Sequence, residues 1–306
     1  MKIKTSKNII TLKIIITVLI MFTLSSCSLS ATTVKPKFTK DTYPSVDGST
    51  ATIPLSEALA AHLLSLTSEE AKNFIKHNTT HNAYENLLNG KADIILVTEP
   101  SKDELYLADS IGVELEVVPV VKEAFVFLVN KNNPVTDISA NDIRDIYQGK
   151  INNWNELCGP DLEIIAYQRP ENSGSQTLMQ NLVMKGLPLA DAPSELKPMA
   201  MAGLIEVISA YDNSDKAIGY SVYYYANSMY SKNTIKFVNV DGVKPNNENI
   251  SSSKYPFTSA YYAVLKKDEP ENSNARKLLS FLLSEEGQKL AEASGYVPLG
   301  QVENEK

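Results

Sequence analysis

The chain has 306 residues, 43% hydrophobic and 21% charged, a size and balance that suit two domains with packed cores and exclude disordered or fibrous classes. Its formal charge of −7 argues against nucleic acid as a partner, since phosphate backbones are held by clustered Lys and Arg. It has two cysteines, Cys27 and Cys158, so stability must come from burial rather than from a disulfide framework.

Lys2, Lys4, Lys7 and Lys13 precede an apolar run from Ile14 to Leu24 that ends in Ser25-Ser26-Cys27. That order predicts a secretory signal. A membrane-spanning helix needs roughly 20 apolar residues, and this run is too short for one. The small residues followed by cysteine resemble the lipobox of bacterial lipoproteins, which implies cleavage after residue 26, lipidation of Cys27 and attachment to the extracytoplasmic face of the cell membrane. Removing a segment with four lysines and no acidic residue takes the formal charge from −7 to −11. Any anion must then be held by local groups. Residues 27–42, rich in Ser, Thr and Lys without apolar periodicity, are expected to be a flexible tether.

Beyond it, apolar patterning predicts a helix over Ile53–Leu66 and strands over Ala92–Val97, Leu115–Val121 and Ala124–Val129. The runs Ile143–Tyr147, Ile164–Tyr167, Thr177–Met184, Ile218–Val222, Tyr261–Leu265 and Ala275–Leu283 continue the alternation. The fold class is α/β.

Three loops place small hydroxyl residues or glycine ahead of a helix. In Asp47-Gly48-Ser49-Thr50-Ala51-Thr52-Ile53-Pro54, Pro54 suits a first helical turn, so Ser49 and Thr50 stand at a helix mouth. Unpaired N–H groups and the helix dipole favour an anion there, although plain N-capping reads equally well. The segment Arg169-Pro170-Glu171-Asn172-Ser173-Gly174-Ser175-Gln176 repeats the design, with a guanidinium whose fork of donors matches a tetrahedral oxyanion. A capped helix beside a surface arginine is the bland alternative. His77-Asn78-Thr79-Thr80-His81-Asn82 places two histidines four apart, but two β-branched threonines and two asparagines disfavour a helix that would align them, so no metal site is expected. Thr79 and Thr80 read as donors. The run Tyr220, Tyr223, Tyr224, Tyr225 and the lone Trp154 read as packing on a sheet rather than as a sugar platform.

The segments DGSTATIPL, KADIILVTEPS, FVFLVNKNNPV, IRDIYQGKINNWNEL, YQRPENSGSQ, AIGYSVYYYA and KLLSFLLSEEGQKLAEASGYVPL resemble, in one order, the phosphate-binding proteins of bacterial phosphate ABC transporters. The resemblance implies a two-lobed type II periplasmic binding protein fold, each lobe a mixed sheet flanked by helices, with the ligand between lobes. Lobe one would comprise 43–122 plus 262–306 and lobe two 123–261, joined by strands near Val117–Phe127 and Phe257–Leu265. It implies ligand contacts from Ser49, Thr50 and Ala51, from Thr79 or Thr80, and from Arg169, Ser173, Gly174 and Ser175. Where phosphate-specific relatives carry an aspartate after the second strand, to accept the hydrogen of a protonated phosphate, this chain has Val97-Thr98-Glu99-Pro100, so Thr98 and Glu99 join the candidates. Implied partners are a small inorganic oxyanion, phosphate first, and a transporter permease; a monomer is expected.

Catalysis is not expected: the chain has no Gly-x-Ser-x-Gly elbow and offers only His62, His77 and His81 as bases. No cofactor is expected either. Two alternatives remain open, a lipoprotein of the same fold acting as sensor or adhesin, and an oxyanion such as sulfate or molybdate.

Overall fold

Strands in chain order are β1 (Val46–Gly48), β2 (Ile94–Val97), β3 (Leu115–Asn130), β4 (Asp137–Ile138), β5 (Ile165–Ala166), β6 (Ala217–Val222), β7 (Ile235–Phe237), β8 (Asn239–Val240) and β9 (Thr258–Lys266). The structure is a computed structural model and describes residues 35–210 and 215–300; the predicted signal segment and Cys27 lie outside the described residues. Among these residues, seven strands form one mixed sheet in the order β1-β2-β9-β3-β6-β5, with β7 also paired to β3. β1–β2 and β5–β6 are parallel, whereas β9 is antiparallel to both β2 and β3. Every residue of β2 is buried, as expected of a strand covered on both faces.

The two strands expected at 115–121 and 124–129 are one. β3 runs for 16 residues, with its register shifted between Pro119 and Val121, where proline has no N–H to give to the ladder. It pairs with β9 from Leu115 to Ala124 and with β6 from Phe125 to Val129. One strand thus serves two portions of the sheet.

The helices are α1 (Ile53–Leu64), α2 (Ser68–Phe74), α3 (Thr80–Leu88), α4 (Lys102–Ser110), α5 (Ala140–Tyr147), α6 (Gly174–Leu178), α7 (Met201–Ser209), α8 (Asn247–Ser251), α9 (Asn274–Leu283) and α10 (Glu285–Ala293). α1 follows directly on a 3₁₀ turn, Thr50–Thr52, and buries Leu55, Leu59 and Leu63. It stops at Ser65, φ 54°, two residues short of the expected end. A capping box between Ser101 and Glu104 starts α4. The helical run expected over 177–184 is instead α6 followed by a π-helical stretch, Met179–Met184. On the other portion of the sheet, α7 packs over β6 and β3.

Of the expected tether, residues 35–42 are described: Phe38 packs edge-on against Tyr43, centroids 5.5 Å apart, and Lys35 Nζ donates to the His62 carbonyl at 3.1 Å. Packed chain therefore begins before Tyr43. Trp154 is fully buried and donates from Nε1 to the Lys216 carbonyl at 2.9 Å. The tyrosines do not all lie on a strand, because β6 ends at Val222 and the chain turns helical from Tyr223. Cys158 is exposed at φ 59°.

Where β3 changes partner, Glu123 is buried at 2% exposure and accepts from the Ala124 N–H at 2.8 Å and the Tyr224 N–H at 3.2 Å. Burial outweighs these bonds and raises its pKa to about 7. A carboxyl raised in the folded state above its unfolded value binds more protons when folded, so stability is full below the unfolded pKa and declines as pH rises through about 7. Glu123→Gln should remove that decline. In urea unfolding at successive pH values, wild type should lose about 3 kcal/mol relative to the variant between roughly pH 4.5 and 8; parallel curves would mean that the carboxyl is not strained.

Candidate functional site

The loop after β1 is held from three sides. Ser49 N–H donates to the Leu96 carbonyl at 2.9 Å, and Thr52 Oγ1 donates to the same carbonyl at 2.6 Å. His77 Nδ1 lies 2.9 Å from the Ser49 carbonyl and Nε2 lies 3.0 Å from Ser56 Oγ. Burial lowers the His77 pKa, so the neutral ring donates from Nδ1 and accepts at Nε2. His77 is a brace for the loop. Gly48 makes room for it, since a Cβ there would stand 2.7 Å from the ring. Ser49 makes no side-chain cap, and the first N–H groups of the turn at Thr50 and Ala51 have no intrahelical acceptor.

Thr79 precedes α3 at φ 71°, ψ 165°, a region ordinarily kept for glycine and costing about 1–3 kcal/mol for other residues. That strain sits on the wall of the site. Tyr84, fully buried on α3, donates to the Thr98 carbonyl at 2.9 Å and fixes that backbone. Thr98 is 3% exposed, yet its Oγ1 has no hydrogen-bond partner among the described residues. A buried hydroxyl without a partner costs about 1–3 kcal/mol, unless something else fills that role.

On the opposite wall Arg169 is 6% exposed. Its Nε donates to the Pro198 carbonyl and its Nη2 to the Met199 carbonyl, both at 2.9 Å, while Nη1 lies 3.4 Å from Ser175 Oγ. Its backbone N–H donates to Tyr220 Oη at 2.8 Å. Among the described residues no carboxylate forms an ion pair with it. Burial lowers its pKa, but a guanidinium stays charged. Buried charges are ordinarily paired, and none of the ion pairs among the described residues includes this one. Ser173 caps α6 by accepting from the Gln176 N–H at 3.3 Å, so the capping reading holds for that hydroxyl. Gly174 lies against the first wall: a Cβ there would be 2.6 Å from both Thr80 Oγ1 and Thr98 Oγ1.

The walls enclose a cavity of about 420 Å³, within the usual range for small-ligand sites. Ser49, Thr50, Ala51, Thr79, Thr80, Thr98, Arg169, Ser173, Gly174 and Ser175 all line it. Glu99 is not among the lining residues, whereas its neighbour Thr98 is; burial raises the Tyr84 and Tyr262 phenols, and the Glu99 charge adds to that. Sequence reasoning missed the rim from Met199 to Ala202, which opens α7 with no side-chain cap at Ala200. It also missed Tyr225 and Tyr261 as wall residues, and His81. The uncapped start of α7 was the one signal available for the rim. Among the described residues no group of three or more His, Cys, Asp or Glu could hold a metal.

A mixed sheet whose two portions share the long strand β3, flanked by helices and bearing a cleft lined by helix starts, is the architecture of type II periplasmic binding proteins. The chain belongs to the PBP superfamily, whose domain matches residues 35–286. It is 28% identical over 172 residues to the phosphate-binding protein PstS of Bacillus subtilis, covering 56% of this chain and 53%, about half, of that relative. It is 25% identical over 268 residues to the protein SphX of Synechococcus elongatus, covering 83% and 76% of the two chains. Among solved structures it is similar to a putative phosphate ABC transporter substrate-binding protein of Clostridium perfringens with bound phosphate. That likeness has 25% identity and a TM-score of 0.65, and covers 84% of this chain and 100% of that one.

Proposed function

We propose that the protein captures phosphate outside the cytoplasm and delivers it to an ABC transporter. The observation that carries this is the buried Arg169 guanidinium, which forms no ion pair among the described residues, facing a cavity that also holds the Thr98 hydroxyl, likewise without a partner among them. Micromolar capture needs about −8 kcal/mol, and hydrogen bonds to a charged group contribute roughly 1.5 to 3 each. Arg169, the hydroxyls of Thr80 and Thr98, and N–H groups from the loops at Ser49 and Ser173 supply enough donors. The relatives described as phosphate-binding, and the similar structure with bound phosphate, support this anion.

In this reading lobe one is 43–122 plus 262–306 and lobe two 123–261, which the change of β3 from β9 to β6 at Phe125 supports. A lipid on Cys27, a transporter permease as partner and a monomeric state complete it; the order of charge, apolar run and small residues before Cys27 supports the anchor. Binding without catalysis fits the relatives named as phosphate-binding proteins. Calorimetric titration of the protein from residue 27 onward with phosphate, sulfate, molybdate and arsenate is the test. Phosphate and arsenate should give saturable heats and sulfate a far weaker one. Flat heats for all four would favour a sensor or adhesin of this fold.

A further inference from the structure

We propose that His81 determines the selectivity of this site, its Nε2 nitrogen accepting the hydrogen of a protonated tetrahedral oxyanion; the inference rests on the anion-binding reading above. His81 is the second residue of α3 and lines the cavity beside Thr80, with its side chain 33% exposed. Its Nδ1 lies 3.1 Å from Glu104 Oε1. The Glu104 side chain is 1% exposed, and its other oxygen accepts the Ser101 N–H at 2.7 Å. A carboxylate can only accept, so the hydrogen of the neutral ring sits on Nδ1 and the lone pair on Nε2. The buried carboxylate thereby fixes both the tautomer and the ring.

The charged groups around this ring are Glu104 on α4, Glu85 on α3 itself, and Arg169 and Glu171 in the loop across the cavity. Glu85 Oε1 is 3.9 Å from Nε2, beyond hydrogen-bond reach. Glu171 is exposed, a long side chain in solvent. The other polar groups on the walls are the Arg169 guanidinium, backbone N–H groups and hydroxyls, with the Asn172 amide and Glu171 in the loop across the cavity; on the α3 wall the ring is the acceptor without a hydrogen of its own. A protonated phosphate carries at least one hydrogen, and a buried donor without an acceptor is penalised. Nε2 supplies the acceptor.

Sulfate brings no hydrogen, so at the Nε2 lone pair it finds no hydrogen bond. Phosphate brings its own hydrogen and makes that bond. The ratio of phosphate to sulfate affinity should therefore be larger with the ring than without it.

The test is titration of the protein from residue 27 onward with inorganic phosphate and with sulfate, in wild type and His81→Ala. A ratio of phosphate to sulfate affinity about tenfold higher in wild type than in the variant is expected, the worth of one hydrogen bond. Because His81→Ala leaves Glu104 without its partner, the ¹⁵N shift of Nε2 in wild type is followed as phosphate is added, and a saturable shift is expected. If wild type binds phosphate while the ring nitrogen does not respond, or while the variant keeps the wild-type ratio, His81 has no part in selectivity and the anion site stands without it. Absence of phosphate binding by wild type would instead overturn the anion reading, and this inference with it.

Discussion

Arg169→Ala should weaken phosphate binding by about a thousandfold and leave the unfolding temperature of the unliganded protein nearly unchanged. A unit charge about 4 Å from a charged oxygen is worth roughly 4 kcal/mol at an effective dielectric near 20, and each 1.4 kcal/mol or so is tenfold in affinity. In the unliganded protein two effects oppose. The Pro198 and Met199 carbonyls lose their donors, but the fold no longer buries a cation that has no ion-pair partner among the described residues. Removing a lone buried charge relieves desolvation, and Met199 stands at the cavity rim and is exposed, so that water can take over its carbonyl. Calorimetry and thermal unfolding of the same variant separate these terms. Retained affinity would place the anion elsewhere, whereas a large fall in unfolding temperature would make Arg169 a structural tie.

Gly174→Ala should weaken phosphate binding by roughly ten- to a hundredfold, from about 1–3 kcal/mol of overpacking. The added methyl would meet two hydroxyl oxygens on the opposite wall at 2.6 Å. Neither can retreat cheaply: Thr98 is held through its carbonyl by Tyr84, and Thr80 is the first residue of α3. Alanine is otherwise harmless at a first helical position, so α6 should form as before. Unliganded stability should stay close to wild type or rise slightly if the walls part. Equal affinity in the variant would mean that they do not need to meet at Gly174 for capture.

The start of α6 in the arginine loop was legible because Ser-Gly-Ser ahead of an apolar run marks a helix start. β2 was legible from its unbroken apolar run. The continuity of β3 was not, because the charged pair Lys122-Glu123 interrupts the apolar run and reads as a strand end. Glu99 was a plausible stand-in for an aspartate by type and position, but sequence order alone does not say which of two adjacent side chains turns inward, and Thr98 does. His81 was set aside with the metal reading. Its partner Glu104 lies 23 residues away, a pairing that only the docking of α4 onto α3 creates. The rim at Met199–Ala202 carries no polar side chain, so its backbone groups left almost no mark in composition.

In mechanical terms β3 and β9 form a ladder two strands wide from Val121 to Ala124, past the stretch where β9 also pairs with β2 and before β3 passes on to β6. Such a ribbon resists stretching and in-plane shear but yields readily to twist and to bending out of its plane. Displacement of one sheet portion against the other is then steered along few directions instead of being free in all six rigid-body coordinates. Little orientational freedom is left to lose when a guest is enclosed, so more of the contact energy of the guest remains as affinity.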